Sequence, residues 1–220
     1  MIALRALGLL VIAATVLPAN ASEVPAPVRR ALRAASVEIL PGRCAGVVAG
    51  SAALVVTAAH CLSDGDENLH VRLGGAVRSA RLAATDEVAD QVVLVLDRPL
   101  PVDPLPIARQ VPIPGSILFF EGNPDRPRLQ SLRLDRIDRC PSLPQLPNAL
   151  FTSLRGEKGD SGAPLLDVAT RVVGLVHGGA RCQIATPSDH LVRLVMRVLE
   201  LQTAEGRNPA RSCATRESCG

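Results

Sequence analysis

The chain has no tryptophan, no tyrosine and only three phenylalanines among its 220 residues. Its interior must therefore be filled by Val, Leu, Ile and Ala, and it lacks the aromatic platforms on which single-stranded nucleic acids stack. An excess of charge of one sign is missing too. Removing residues 1–21 takes away Arg5 alone, so the 24 Lys and Arg become 23, set against 21 Asp and Glu. That near balance excludes nucleic acid or another polyanion as the expected partner. No two cysteines stand at zinc-finger spacing, and no metal or organic cofactor is expected. Beyond the N-terminus no apolar run is long enough to span a bilayer.

What the N-terminus does contain is an apolar run over residues 2–17, interrupted by Arg5 and Thr15 and followed by Pro18-Ala19-Asn20-Ala21. A short apolar segment ending in Ala-x-Ala is the pattern of a secretory signal peptide. A spanning anchor would need about 20 apolar residues. Cleavage after Ala21 is expected, giving a secreted or periplasmic protein with no membrane association. The even count of six cysteines in an exported chain predicts disulfides, with 15 pairings open. Cys44 and Cys61 bracket two short strand-like runs, Ala45 to Val48 and Ala53 to Thr57, and a bridge there would clamp the backbone beside His60. Cys213 and Cys219 close a short polar tail, which leaves Cys140 with Cys182 by elimination.

Short apolar runs separated by Gly, Pro, Asn and Asp follow one another from residue 37 to 186. They include Leu69 to Leu73, Gln91 to Leu96, Ser116 to Phe120, Leu129 to Leu134, Ala163 to Asp167 and Arg171 to Val176. Frequent short strands with turn signals predict antiparallel sandwich or barrel architecture. Six prolines between Asp97 and Gly115 cannot sit inside a sheet, because each lacks a backbone donor. This stretch is expected to link two β units, the alternative being a long surface loop of one larger barrel. Leu191, Leu194, Val195, Val198 and Leu199 then mark one face of a helix, expected to pack on the second β unit, with Ser188 as its N-cap. The chain divides into a signal peptide (1–21), a first β unit (22–110), a second (111–186), a helix (187–205) and a disulfide-stapled tail (206–220).

Two motifs carry chemistry. A serine hydroxyl is a poor nucleophile unless a base lies within hydrogen-bond reach and a third group orients that base. Ser161 sits in Gly159-Asp160-Ser161-Gly162-Ala163-Pro164, and about a hundred residues upstream His60 sits in Thr57-Ala58-Ala59-His60-Cys61. Together these motifs resemble those of the trypsin/chymotrypsin family of serine proteases. The resemblance implies an all-β fold of two antiparallel six-stranded barrels with the active site between them, a C-terminal α-helix, and a protein or peptide substrate. It implies Ser161 as nucleophile and His60 as base. Asp90, leading into the apolar strand 91–96, is implied as the orienting acid in preference to Asp86 and Asp97. The oxyanion hole falls to the N–H groups of Gly159 and Ser161, glycine being able to aim an N–H without a Cβ clash.

The specificity pocket is less well determined. Gly174-Leu175-Val176-His177-Gly178-Gly179 resembles the strand lining that pocket, where many family members carry serine at the His177 position, so His177 and Gly179 are candidate substrate-binding residues. Six residues before the nucleophile stands Arg155 in place of an acid, which argues against a preference for Lys or Arg. Arg155 or His177 could instead favour an acidic side chain, the default for Arg155 being a solvated loop charge and the alternative for His177 a packing role. His70 and His190 are expected to be solvated. Nothing resembling an activating Ile-Val-Gly-Gly precedes Cys44, so Asp160 is expected to be held by an internal arginine or by backbone donors. A monomeric serine endopeptidase is the first reading, and a catalytically silent relative that binds a partner protein is the second.

Overall fold

The computed structural model describes residues 23–62, 68–178 and 182–207. It opens with a helix, α1 (Ala26–Ala35), whose Val28, Leu32 and Ala35 are buried on one face. The first barrel follows: β1 (Ser36–Leu40), β2 (Cys44–Val48), β3 (Leu54–Ala58), β4 (His70–Leu73), β5 (Ala76–Asp86) and β6 (Gln91–Leu96). The second consists of β7 (Ile117–Phe120), β8 (Gln130–Asp138), β9 (Ala149–Thr152), β10 (Pro164–Leu166), β11 (Val172–Gly178) and β12 (Ile184–Pro187). Helix α2 (Ser188–Arg207) closes the described chain.

Both barrels are closed and antiparallel, and their connectivity is the same: β1-β2-β3-β6-β5-β4 in the first and β7-β8-β9-β12-β11-β10 in the second. The two-barrel, all-β architecture with a C-terminal helix is the one expected. Strands β2, β3 and β6 are buried at every position because they face the barrel interior on one side and covering layers on the other. Strand β5 behaves differently, since most of its alternating Arg, Ser and Ala residues are half-buried or exposed. The core is aliphatic, apart from Phe119 and Phe120. The third phenylalanine, Phe151, lies under the Arg136 guanidinium at 3.9 Å.

The proline-rich stretch joins the barrels and is stitched to both. Leu105 N–H donates to the Val48 carbonyl at 3.0 Å, and Gly50 N–H to the Leu105 carbonyl at 3.0 Å. One and three residues on, the Pro106 carbonyl accepts Val172 N–H and Ala108 N–H reaches the Val172 carbonyl.

Helix α2 departs from expectation in what it covers. Leu191, Leu194, Val195 and Val198 belong to the first barrel's core cluster, and the helix packs on β5 and β6 as well as on β11. The apolar outer side of β6 needs a cover, and α2 crosses back to supply it. Its first residue, Ser188, uses its hydroxyl to donate to the Ala108 carbonyl at 2.8 Å, which pins the helix start to the linker. Cys44–Cys61 and Cys140–Cys182 are disulfide-bonded, with Cα separations of 5.9 and 6.3 Å. The expected signal peptide and the Cys213–Cys219 pair lie outside the described residues.

Candidate active site

His60 occupies a short 3-10 turn (Ala59–Cys61) at the end of β3, and Asp90 immediately precedes β6, the strand paired with β3. The register Ala58↔Gln91 therefore brings the two residues together from 30 positions apart in sequence. Asp90 adopts a left-handed backbone, φ 52°, rare for a residue with a side chain. That turn aims its carboxylate at the His60 ring. Asp90 Oδ1 accepts the His60 backbone N–H at 2.8 Å and Oδ2 accepts from His60 Nδ1 at 2.6 Å.

A second imidazole shares the same oxygen. His177 Nδ1 lies 2.5 Å from Asp90 Oδ2, and the two histidine rings meet edge to face with centroids 5.1 Å apart. Burial pushes the Asp90 carboxyl pKa up, but the hydrogen bonds from His177 and His60 outweigh it and hold the group at about 2. An ionised carboxylate only accepts, so each ring presents Nδ1–H to it, and in a neutral imidazole so oriented Nε2 is the acceptor. Among the described residues, His60, Asp90 and His177 form the one cluster with metal-ligand atoms all within 4.8 Å. Two ligands of a tetrahedral zinc, each about 2.0 Å from the ion, stand more than about 3 Å apart. The 2.5 and 2.6 Å separations are those of hydrogen bonds rather than of two ligands around one ion.

Ser161 faces the histidines across a cavity of about 400 Å³, lined by His60, Ser161 and His177 together with Leu154, Gly156, Val176, Gly178 and Gln183. Its Oγ lies 3.5 Å from the His177 carbonyl. The serine's backbone is fixed by strong local ties. The Ser161 carbonyl accepts Ala45 N–H at 2.9 Å, and Gly162 N–H donates to the Val176 carbonyl at 2.7 Å. A Cβ on Gly162 would stand 2.2 Å from both the Ala45 carbonyl oxygen and Thr57 Oγ1, so only glycine lets this loop seat against the first barrel. Gly159, at φ +98°, is likewise confined, because a Cβ would meet Asn123 Nδ2 at 2.7 Å. Asp160 N–H is taken by the Glu157 carbonyl. Among the described residues, the N–H groups of Gly159 and Ser161 have no such backbone partner.

Asp160 itself is held by both kinds of partner that the sequence suggested. Its Oδ2 is paired with Arg128 Nη2 and accepts Glu157 N–H at 2.6 Å, while Oδ1 accepts Asn123 N–H at 3.0 Å. Arg128 also donates to the Arg155 carbonyl at 3.1 Å, and its Nε lies 3.4 Å from Glu157, so one guanidinium spans the segment that leads into the nucleophile. Asn123 Nδ2 completes the clamp on the Arg43 and Gly159 carbonyls. Neither Arg128 nor Asn123 stands in a motif that sequence reading recognises.

The other candidates are distributed differently. The Arg155 side chain is exposed and is not part of the cavity lining, which instead carries Lys158 and Glu157. Gly179 lies outside the described residues. Asp97 is an exposed turn residue bonded to the next N–H. Asp86 pairs with His190 at 2.8 Å, so His190 is engaged rather than solvated. Burial raises the Asp86 pKa, and the His190 hydrogen bond and two backbone N–H groups bring it below the usual value. His70 Nδ1 lies 2.9 Å from the Asn68 carbonyl.

Two closed six-stranded barrels with His60, Asp90 and Ser161 at their junction define the chymotrypsin-like class of protein. Residues 44–175 match the trypsin-like peptidase domain, more than half of the chain, and the protein belongs to that family. Solved structures are similar in fold. The Rv3671c protease from M. tuberculosis in its active form superposes with TM-score 0.66 at 23% identity, over 88% of this chain and 94% of that one. Its inactive form gives 0.64 at 24%, over 82% and 96%. The MamO protease domain from Magnetospirillum magneticum gives 0.63 at 16%, over 75% and 97%. No curated protein matches the chain in sequence.

Proposed function

We propose that the protein is an exported serine endopeptidase whose nucleophile is Ser161. The observation that carries the reading is the 2.6 Å bond between His60 Nδ1 and the ionised Asp90, with Ser161 on the wall of the same cavity. In the mechanism that follows, His60 Nε2 takes the Ser161 proton as Oγ attacks the scissile carbonyl. The Gly159 and Ser161 N–H groups stabilise the tetrahedral oxyanion, His60 returns the proton to the leaving amine, and an acyl-enzyme forms on Ser161. Water, activated by the same imidazole, releases the acid. Asp90 keeps the His60 tautomer and stabilises the imidazolium at each transfer. Export is supported by the apolar run at residues 2–17 and by two disulfides, which persist in oxidising compartments.

The test is labelling of the purified, oxidised protein with a fluorophosphonate probe. Labelling is expected for the parent and lost in Ser161→Ala. A parent that neither labels nor cleaves any member of a peptide library would instead favour a binding role for the cleft.

A further inference from the structure

In the residues flanking the proposed nucleophile, base and acid, the unusual feature is a second imidazole on the acid. His177 belongs to β11 of the second barrel and Asp90 to the first, so their bond crosses the cleft that the substrate must enter. Both ring Nδ1–H groups converge on Oδ2, and among the described residues the one other donor on the carboxylate is the His60 backbone N–H on Oδ1. The strands beside β11 offer no titratable group: β10 is Pro164-Leu165-Leu166 and β12 is Ile184-Ala185-Thr186-Pro187. What faces His177 is Asp90, His60 and the Ser161 hydroxyl, with Glu157, Lys158 and Asp160 on the wall of the same cavity, while helix α2, which also packs on β11, carries Asp189, His190 and Arg193 in its first turns.

We propose that His177 is a positioning residue that divides the Asp90 carboxylate between two imidazoles, so that Asp90 supports a proton on His60 less strongly than it would support a lone histidine. The inference rests on the protease reading for its kinetic consequence, but not for the bond itself. An imidazolium on His60 is stabilised by the negative charge that Asp90 presents to it. A second donor on the same oxygen draws on that charge and leaves less for His60. A proton arriving on His177 places a cation beside the His60 ring and opposes a second one there. The same bond fixes Oδ2 against rotation, which keeps it aligned with His60 Nδ1. Serine, common at this position in similar proteins, can donate one bond but cannot carry the proton.

Two measurements test this. In the inactive Ser161→Ala protein, low-field proton NMR should show two exchange-protected imidazole Nδ1–H resonances besides that of His190, which is paired with Asp86, and Ser161→Ala/His177→Ser should show one besides it. Only one beyond that of His190 in the first protein, or two beyond it in the second, overturns the shared carboxylate whatever the activity of the parent. In the active protein, His177→Leu removes the donor at similar volume and should move the acid limb of kcat/KM upward by roughly half to one pH unit, with kcat down by about tenfold. His177→Ser should recover kcat to within about threefold of the parent, because a donor to Asp90 is restored. An acid limb that stays in place or moves downward in His177→Leu overturns the proposal. Should that variant not fold, the His177→Ser resonances decide. Absence of fluorophosphonate labelling in the parent would reject the protease reading alone.

Discussion

Replacing Arg128 with methionine is the most informative single change outside the cleft. The side chain keeps much of its length and loses the guanidinium, so what disappears is the ion pair with Asp160, the bond to the Arg155 carbonyl and the contact with Glu157. Asp160 is only 3% exposed at its side chain and Arg128 26%, so bulk water cannot take over as a partner without the loop moving. Removing one member of such a pair costs about 3–5 kcal/mol, most of it the penalty for the charge left behind. The cheapest escape is for residues 155–160 to swing Asp160 towards solvent, which also displaces the Gly159 and Ser161 N–H groups. If the whole cost falls on that local rearrangement, the competent loop drops to roughly one part in 10² to 10⁴, and kcat/KM falls by the same factor. The assay is fluorophosphonate labelling rate together with peptide hydrolysis, set beside thermal unfolding. Arg128→Met/Asp160→Asn supplies the control: with the charge gone as well, stability should recover by about 2 kcal/mol or more relative to Arg128→Met alone. An Arg128→Met protein with unchanged labelling and unchanged melting would refute the claim that Arg128 holds this loop.

Two further outcomes follow from the same structure. Asp90 has its folded pKa held at about 2, below the ordinary carboxylate value, so its contribution to stability is fully present above about pH 4 and is lost as the pH falls towards 2. Asp86 shifts in the same direction, and acid unfolding followed by circular dichroism should show Asp90→Asn losing on the order of 2 kcal/mol of this pH-dependent term. Gly162→Ala should be destabilised by about 3 kcal/mol or more, since a Cβ would overlap the Ala45 carbonyl and Thr57 Oγ1 and the backbone is at φ +80°; near-parent melting would show that the loop can retreat from β2.

Much of this molecule is legible in its sequence where one residue type has one job. Gln91 to Leu96 reads as a strand because it is buried along its whole length, and the structure places β6 on those residues. The Gly-Asp-Ser-Gly motif is legible because each glycine answers a backbone approach that no other residue fits. Strand β5 is not legible in that way. Its eleven residues pair along their length while none of them is fully buried, so the hydrogen-bonded ladder rather than an apolar face is what defines it. Helix α1 hides behind Arg29, Arg30 and Arg33, which draw attention from the Val28, Leu32 and Ala35 face. The His177–Asp90 bond and the Arg128 clamp join residues 87 and 32 positions apart, and no local pattern records such contacts. Cys140–Cys182 emerged by elimination rather than by any signal in its surroundings.

The proline-rich crossing between the barrels has a consequence for how such a protein survives its own company. A protease reads peptide backbone in an extended form, pairing with the N–H and C=O groups of the segment it cuts. Both barrels are closed, so their strands leave no edge on which a second copy could work. The linker is where unpaired chain would be expected, yet its prolines carry no N–H to offer, and Leu105, Pro106 and Ala108 are already bonded to one barrel or the other. Over residues 105–108 this long connection therefore offers few free backbone groups with which another extended chain could pair.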